Sequence, residues 1–341
     1  MLPTRAGPPA GRASVVGFEA EPMSIAGAAG ELVRIQVHYD PGTGTPGPAS
    51  AIAKFRGRSA TQCAMDEQLG LFARERRFYR DVAATLPVAV PRCYWAGDGS
   101  RLPLLLEDLR ELRFVDQVRG LELGDAERLM DSLADLHAAF WEQPAPGGAE
   151  WLVSLSDPTF GGLLTQLLVS GLPALNARYA GRVPNSVLAE VTTAAPTWPE
   201  VLLRCAEGPR TLVHNDCRAD NIFFAAGDEP VLLDWQLVAF ARGTQDIAYL
   251  LSGSLQPQVL RDSWDALLSR YHRRLLALGV QGYTWQQCVE HYRQSVLYTL
   301  TPGIAMLGAM AIAGDERGLA DALVLRTLLH AADLDAFEAL R

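Results

Sequence analysis

The stretch from Thr211 to Gln236 constrains this chain more than any other. Two short runs of β-type residues, Thr211-Leu212-Val213 and Ile222-Phe223-Phe224, enclose a turn-rich loop that reads His214-Asn215-Asp216-Cys217-Arg218-Ala219-Asp220-Asn221. A third run, Val231-Leu232-Leu233, ends on Asp234-Trp235-Gln236. Strands at both ends would pin the loop, and a hairpin of the second and third runs would bring Asp234 back beside Asn221. Asp and Asn are common in turns for conformational reasons alone, so either half of the stretch by itself would be an ordinary polar loop. The two halves together, in this order and on strand-like flanks, are not.

Those three side chains suit one kind of chemistry. A carboxylate at Asp216 can orient a hydroxyl and take its proton. An amide at Asn221 and a second carboxylate at Asp234 are hard oxygen donors, the kind that hold Mg²⁺ against the phosphates of ATP. His214 is placed to bond the backbone near Asp234 rather than to act as a base.

The chain upstream adds matching parts. Residues 14–23 and 31–39 alternate as strands, a glycine-containing segment with Gly27 and Gly30 lies between them, and Ala51 to Phe55 forms a third strand. Backbone N–H groups of such a glycine loop can approach phosphate oxygens. Lys54 lies inside the third strand and is the only lysine in the chain. A lysine in an apolar strand is costly without a partner, and one in this place can reach the α- and β-phosphates of ATP. Helical spacing over Glu67–Ala83 offers candidate partners in Glu75 and Glu67.

The segment from His214 to Asn221, with Asp234-Trp235-Gln236, resembles the catalytic core of the aminoglycoside phosphotransferase and choline kinase superfamily. The Asp-Trp-Gln ending is most similar to its ecdysteroid-kinase-like branch and bacterial relatives. The usual pattern has His-Gly-Asp; here Asn215 takes the glycine position, and Asn is among the few residues that tolerate a positive φ. The resemblance implies an α+β, bilobal, protein-kinase-like fold. A tail over 1–13 would precede a small nucleotide-binding lobe with an antiparallel sheet over 14–107. A larger helical lobe would follow over 108–341. It implies that Glu75 fixes Lys54, and that Leu104 to Leu109 is a hinge whose backbone, around Glu107 and Leu109, bonds adenine. It also implies that Asp246 ties down the backbone of the catalytic loop. The nucleotide side of the site would then comprise Lys54, Glu75, Gly27, Gly30, Glu107, Leu109, His214, Asn221 and Asp234, with ATP and Mg²⁺ as cofactors and Asp216 as the catalytic residue.

The remaining sequence is read as mostly helical. Asp125–Glu142 is amphipathic with Asp125 as its cap, and His137 on it is a core histidine. Residues 151–200 read as irregular pieces, Leu163–Ser170 and Asn185–Val191 being helix-capable between Gly and Pro breaks. Helices are expected over 199–207, 259–277, 285–300 and 319–340. Trp285, His291, Tyr292 and Tyr298 share one of them, where they would line either an aromatic acceptor pocket or a helix interface. Val296–Ala313 is uncharged, but Pro302-Gly303 interrupts it, and it reads as a buried pair of helices.

A net charge of −9 argues against non-specific nucleic-acid binding, which needs basic surface. Five scattered cysteines without CxxC spacing suggest neither a zinc site nor a disulfide framework and fit a reducing cytosol. No signal peptide or membrane association is expected. Only eleven residues separate Asp234 from Asp246, too few for the peptide platform of a protein kinase. The expected activity is therefore ATP-dependent transfer of a phosphoryl group to a small hydroxylated acceptor. The alternative is a silent pseudokinase acting as a nucleotide-binding or interaction module. Monomer and homodimer both remain open.

Overall fold

The computed structural model describes residues 13–23, 30–97, 103–148, 151–313, 315 and 318–341. Contacts divide the chain into two compact units. One is Met1–Ala83 with Pro91–Glu111, the other Ala84–Val90 with Leu112–Arg341. Gly27, most of the first glycine segment and nearly all of the 1–13 tail lie outside the described residues.

The first unit is built on strands β1 (Val15–Met23), β2 (Gly30–Tyr39) and β3 (Ser50–Arg56), helices α1 (Ala60–Leu69) and α2 (Leu71–Asp81), and strands β4 (Cys93–Ala96) and β5 (Leu104–Glu107). The strands form one antiparallel sheet in the order β1-β2-β3-β5-β4. Lys54 therefore sits mid-sheet, opposite Leu32 on one side and Leu104 on the other. The single helix expected over Glu67–Ala83 is two helices. They meet at Gly70, whose φ of +63° belongs to glycine. Asp66 seals the joint: its carbonyl accepts from the Gly70 N–H at 2.7 Å and its carboxylate from Phe72 N–H at 2.8 Å.

The second unit contains β6 (Arg113–Phe114), α3 (Leu123–Phe140), α4 (Pro158–Tyr179), α5 (Asn185–Ala194) and α6 (Trp198–Ala206). The strands β7 (Thr211–Val213), β8 (Ile222–Phe224), β9 (Pro230–Leu232) and β10 (Ala239–Ala241) follow, then α7 (Thr244–Ser254), α8 (Pro257–Ala277) and α9 (Trp285–Ala313). After a wide helical turn over Asp321–Leu325 the chain closes with α10 (Arg326–Asp333) and a short turn, Ala336–Leu340. Strands β6-β8-β9 make one small sheet and β10-β7 another. The helix expected over 319–340 is thus three pieces, with Asp335 at φ +45° before the last.

Three other readings change. Asp125 does not cap α3; Glu122 occupies that position, and Asp125 lies in the first turn, where its two oxygens take Arg113 at 2.7 and 2.9 Å. Residues 158–179 are a continuous 22-residue helix despite three glycines and Pro173. Gly171 is there for contact rather than as a breaker: a Cβ on it would stand 2.1 Å from the carbonyl oxygen of Ile304 on α9. Likewise α9 runs through Pro302 as one helix instead of two. Proline removes one backbone donor, and burial of the surrounding face outweighs it, with Leu300 1% and Ile304 0% exposed. Among the described residues α4 is the one helix long and apolar enough to cross a bilayer; in this fold it lies against α9.

Candidate active site

The nucleotide-facing candidates of the first unit centre on one ion pair. Lys54 Nζ lies 2.7 Å from Glu75 Oε2, with side chains 12% and 1% exposed. Breaking such a buried pair leaves an uncompensated charge. Glu67, the other acid considered, instead serves Arg56 at 3.1 Å. Gly30 begins β2, where a Cβ would be 2.4 Å from the carbonyl oxygen of Phe55, so backbone crowding against β3 accounts for this glycine. In the hinge, Glu107 is tied to Arg92 twice: its carboxylate accepts the Arg92 N–H at 3.0 Å, and its own N–H donates to the Arg92 carbonyl at 2.8 Å. The side chain of Leu109 is buried, and its N–H has no partner among the described residues.

In the second unit the catalytic loop spans β7 to β8. Its backbone is held from below by α7: the Asp246 carboxylate accepts the N–H groups of His214 and Asn215, each at 2.7 Å. His137 of α3 stands 3.3 Å from the same carboxylate and 2.8 Å from the Tyr271 hydroxyl, a packed core histidine. Gly243 makes room for it, since a Cβ there would lie 2.6 Å from His137 Nδ1.

His214 has no ring nitrogen to offer a nucleotide. Asp216 N–H donates to its Nδ1 at 3.2 Å, which fixes the proton on Nε2, and that N–H donates to the Leu233 carbonyl at 2.8 Å. Its place among nucleotide contacts is corrected accordingly: it clamps the strand end that carries Asp234. Asn215 has φ +65°, the left-handed region that asparagine accepts.

Asn221 is locked by its amide nitrogen. Nδ2 donates to the Asp216 carbonyl and to Asp216 Oδ2, both at 2.9 Å. Both partners are acceptors, so the amide cannot be turned around, and Oδ1 is the atom left over. The hairpin brings Asp234 alongside: Leu233 N–H donates to the Asn221 carbonyl at 3.1 Å, and Asp234 itself takes φ +67°. Burial pushes the Asp216 carboxyl above its ordinary range, nearby Arg218 pulls it back, and Asp234 pushes it up further. With Asn221 Oδ1 left over by the amide lock and Asp234 following the residue bonded to the Asn221 carbonyl, an amide oxygen and a carboxylate, both hard donors of the kind a cation takes, lie close along the hairpin. No cluster of three His, Cys, Asp or Glu side chains exists among the described residues.

Reading the sequence for function passed over Arg218. Its Nε is 3.5 Å from Asp216 Oδ1, and its Nη1 is 3.0 Å from Asp220 Oδ2. Asp220 in turn accepts the N–H of Gln117 at 3.0 Å. The guanidinium is thus held beside Asp216 by a second acid, with Nη2 uncommitted among the described residues. The signal was present in the sequence as a single cation between two acids, Asp216-x-Arg218-x-Asp220.

A family model described as phosphotransferase enzyme family, APH, matches residues 50–283. The chain belongs to this family. Solved structures show the same fold. A macrolide 2'-phosphotransferase, MphH, from Brachybacterium faecium shares 16% identity over 89% of this chain and 91% of its own, with a TM-score of 0.51. The choline kinase LicA from Streptococcus pneumoniae shares 14% over 94% of both chains, TM-score 0.54. A Plasmodium vivax ethanolamine kinase shares 12% over 92% of this chain and 81% of its own, TM-score 0.53. No curated protein matches the sequence. Family and fold support a kinase-type phosphotransferase for small molecules. They match at the level of the superfamily, and assignment to the ecdysteroid-kinase-like branch rests on Asp234-Trp235-Gln236 alone.

Of the aromatic residues of α9, His291, Tyr292 and Tyr298 bond to neighbouring side chains, whereas Trp285 lines a surface pocket with Arg204, Gln286 and Arg293. Tyr292 bonds His330 at 2.7 Å, Tyr298 bonds Asn215 at 2.9 Å and His291 bonds Tyr283 at 3.1 Å. Tyr292 and Tyr298 are buried, and Trp285, at 36%, is the exposed one.

Proposed function

We propose that this protein transfers the γ-phosphoryl group of ATP to a hydroxyl of a small molecule. The observation that carries this reading is the locked Asn221 amide, which turns one oxygen free beside Asp234 while holding the Asp216 carboxylate in place. Asp216 orients the acceptor hydroxyl and receives its proton. The acceptor oxygen forms a bond to the γ-phosphorus as the bond from that phosphorus to the β,γ-bridging oxygen breaks, and ADP leaves. Arg218, held by Asp220, offers positive charge to the transferred group. Lys54, fixed by Glu75, takes the α- and β-phosphates, and the backbone at Glu107 and Leu109 takes the adenine edge. Asn221 and Asp234 would hold Mg²⁺, which supplies charge neutralisation when bound. Placement and charge stabilisation do most of the work in such a reaction. The reading also takes the protein to work in the cytoplasm, since five scattered cysteines without CxxC spacing suit a reducing compartment.

The test is ATP consumption against a panel of hydroxylated acceptors (aminoglycosides, macrolides, choline-like amines, sugars, sterols), wild type beside Asp216→Asn. Turnover on one class that is lost in the variant supports the reading and names the acceptor. Binding of MgATP with no turnover on any acceptor would mark a silent kinase fold instead.

A further inference from the structure

The inner face of α9 carries polar side chains at the spacing of successive turns. Gln294 Oε1 takes Arg242 at 2.6 Å, Ser295 meets Thr244 at 2.9 Å, Tyr298 bonds Asn215 Oδ1 at 2.9 Å and Thr301 Oγ1 accepts Trp198 Nε1 at 2.9 Å. Residues 294 or 295, 298 and 301 share one helix face. Their partners are parts of the catalytic framework. Arg242 and Thr244 flank the start of α7, whose Asp246 holds the loop backbone, and Asn215 is in the loop itself. Three residues beyond Thr301, Ile304 meets Gly171 of α4. The helix α9 therefore joins the helical region around α4 to the peptide that precedes Asp216.

Asn215 is the unusual member of this seam. At φ +65° a glycine would carry no steric penalty, so an asparagine there must be repaid by its side chain. The return is the bond to Tyr298, a phenol only 6% exposed, whose hydroxyl would otherwise lose its partner.

We propose that Asn215 and Tyr298 are a positioning pair that transmits the placement of α9 to the loop carrying Asp216. This rests on Asp216 being the group that meets the acceptor. The variants are Asn215→Gly, which keeps the backbone conformation and deletes the amide, Tyr298→Phe, which deletes only the hydroxyl, and the double variant. The first readout is hydrogen exchange of amides 214–221 in the full chain. Each single change should speed exchange about five- to tenfold, the value of one lost hydrogen bond, and the double should be no worse than either single. Unchanged exchange, or losses that add, would overturn the pair. The second readout is MgATP hydrolysis with water as acceptor. kcat should fall by a similar factor with KM for MgATP unchanged, since Lys54 and Glu75 are untouched. A fall in melting temperature without loss of kcat would reduce the pair to a structural contact. If wild-type hydrolysis survives Asp216→Asn, the phosphotransferase reading fails, and the exchange data still decide the pair.

Discussion

The two units each hold a cation against a carboxylate, and the pairs are built differently. Lys54 and Glu75 are closed on each other at 2.7 Å, the acid almost fully buried. Arg218 keeps its closer contact, 3.0 Å, for Asp220 and stands 3.5 Å from Asp216. In the first pair the acid exists to hold the cation. In the second, a separate acid holds the cation, so the carboxylate beside it stays available to a hydroxyl. Geometry of a few tenths of an ångström, together with one extra acid, separates a closed clamp from a carboxylate that, on the proposed reading, meets the acceptor.

Substitutions can break that contrast. Asp216→Asn removes the reactive member and should lower kcat by about 10³-fold while MgATP still binds, seen by steady-state kinetics beside a binding titration. Glu75→Ala breaks the closed pair and should cost roughly 3 kcal/mol in denaturant unfolding, with weaker MgATP binding. Arg218→Gln should show the opposite profile. kcat drops about a hundredfold with affinity for MgATP little changed, and the loss of stability is smaller than in Glu75→Ala because Gln keeps a donor for Asp220. Equal stability losses for Glu75→Ala and Arg218→Gln would erase the distinction.

A smaller effect comes from a site outside both pairs. Burial pulls His330 down to about 3, against about 6.5 in an unfolded chain. Below pH 6.5 the unfolded state binds a proton that the folded state refuses, so stability is full above that pH and falls as pH drops towards the folded value. The slope should approach about 1.4 kcal/mol per pH unit at its steepest. Melting curves between pH 7 and 4.5 should flatten in His330→Gln. An unchanged slope would mean that other groups set the acid limit.

What was legible followed from local order. His214 to Asp234 is one hairpin and one loop, so spacing along the chain already places Asp216, Asn221 and Asp234 together. The strand carrying Lys54 was readable because a lone lysine in an apolar run demands an anion to meet it. Gln117 was invisible: its bond to Asp220 joins residues 103 apart. The helix α4 was misread for a related reason. Gly171 and Pro173 are breakers by propensity, and only the approach of Ile304 from α9 shows that the glycine is required for packing. At Gly70 the same residue type does end a helix, because there it takes the left-handed conformation at φ +63°.

By itself, the sequence determined the antiparallel strands of the first unit and the hairpin that brings Asp216, Asn221 and Asp234 together, since these depend on alternation and short-range spacing. Tertiary structure decided that Arg218 stands beside Asp216, that Gly171 of α4 meets Ile304, and that α9 passes unbroken through Pro302. Each of those depends on contacts that local propensity does not encode, where burial and hydrogen-bond satisfaction outweigh it.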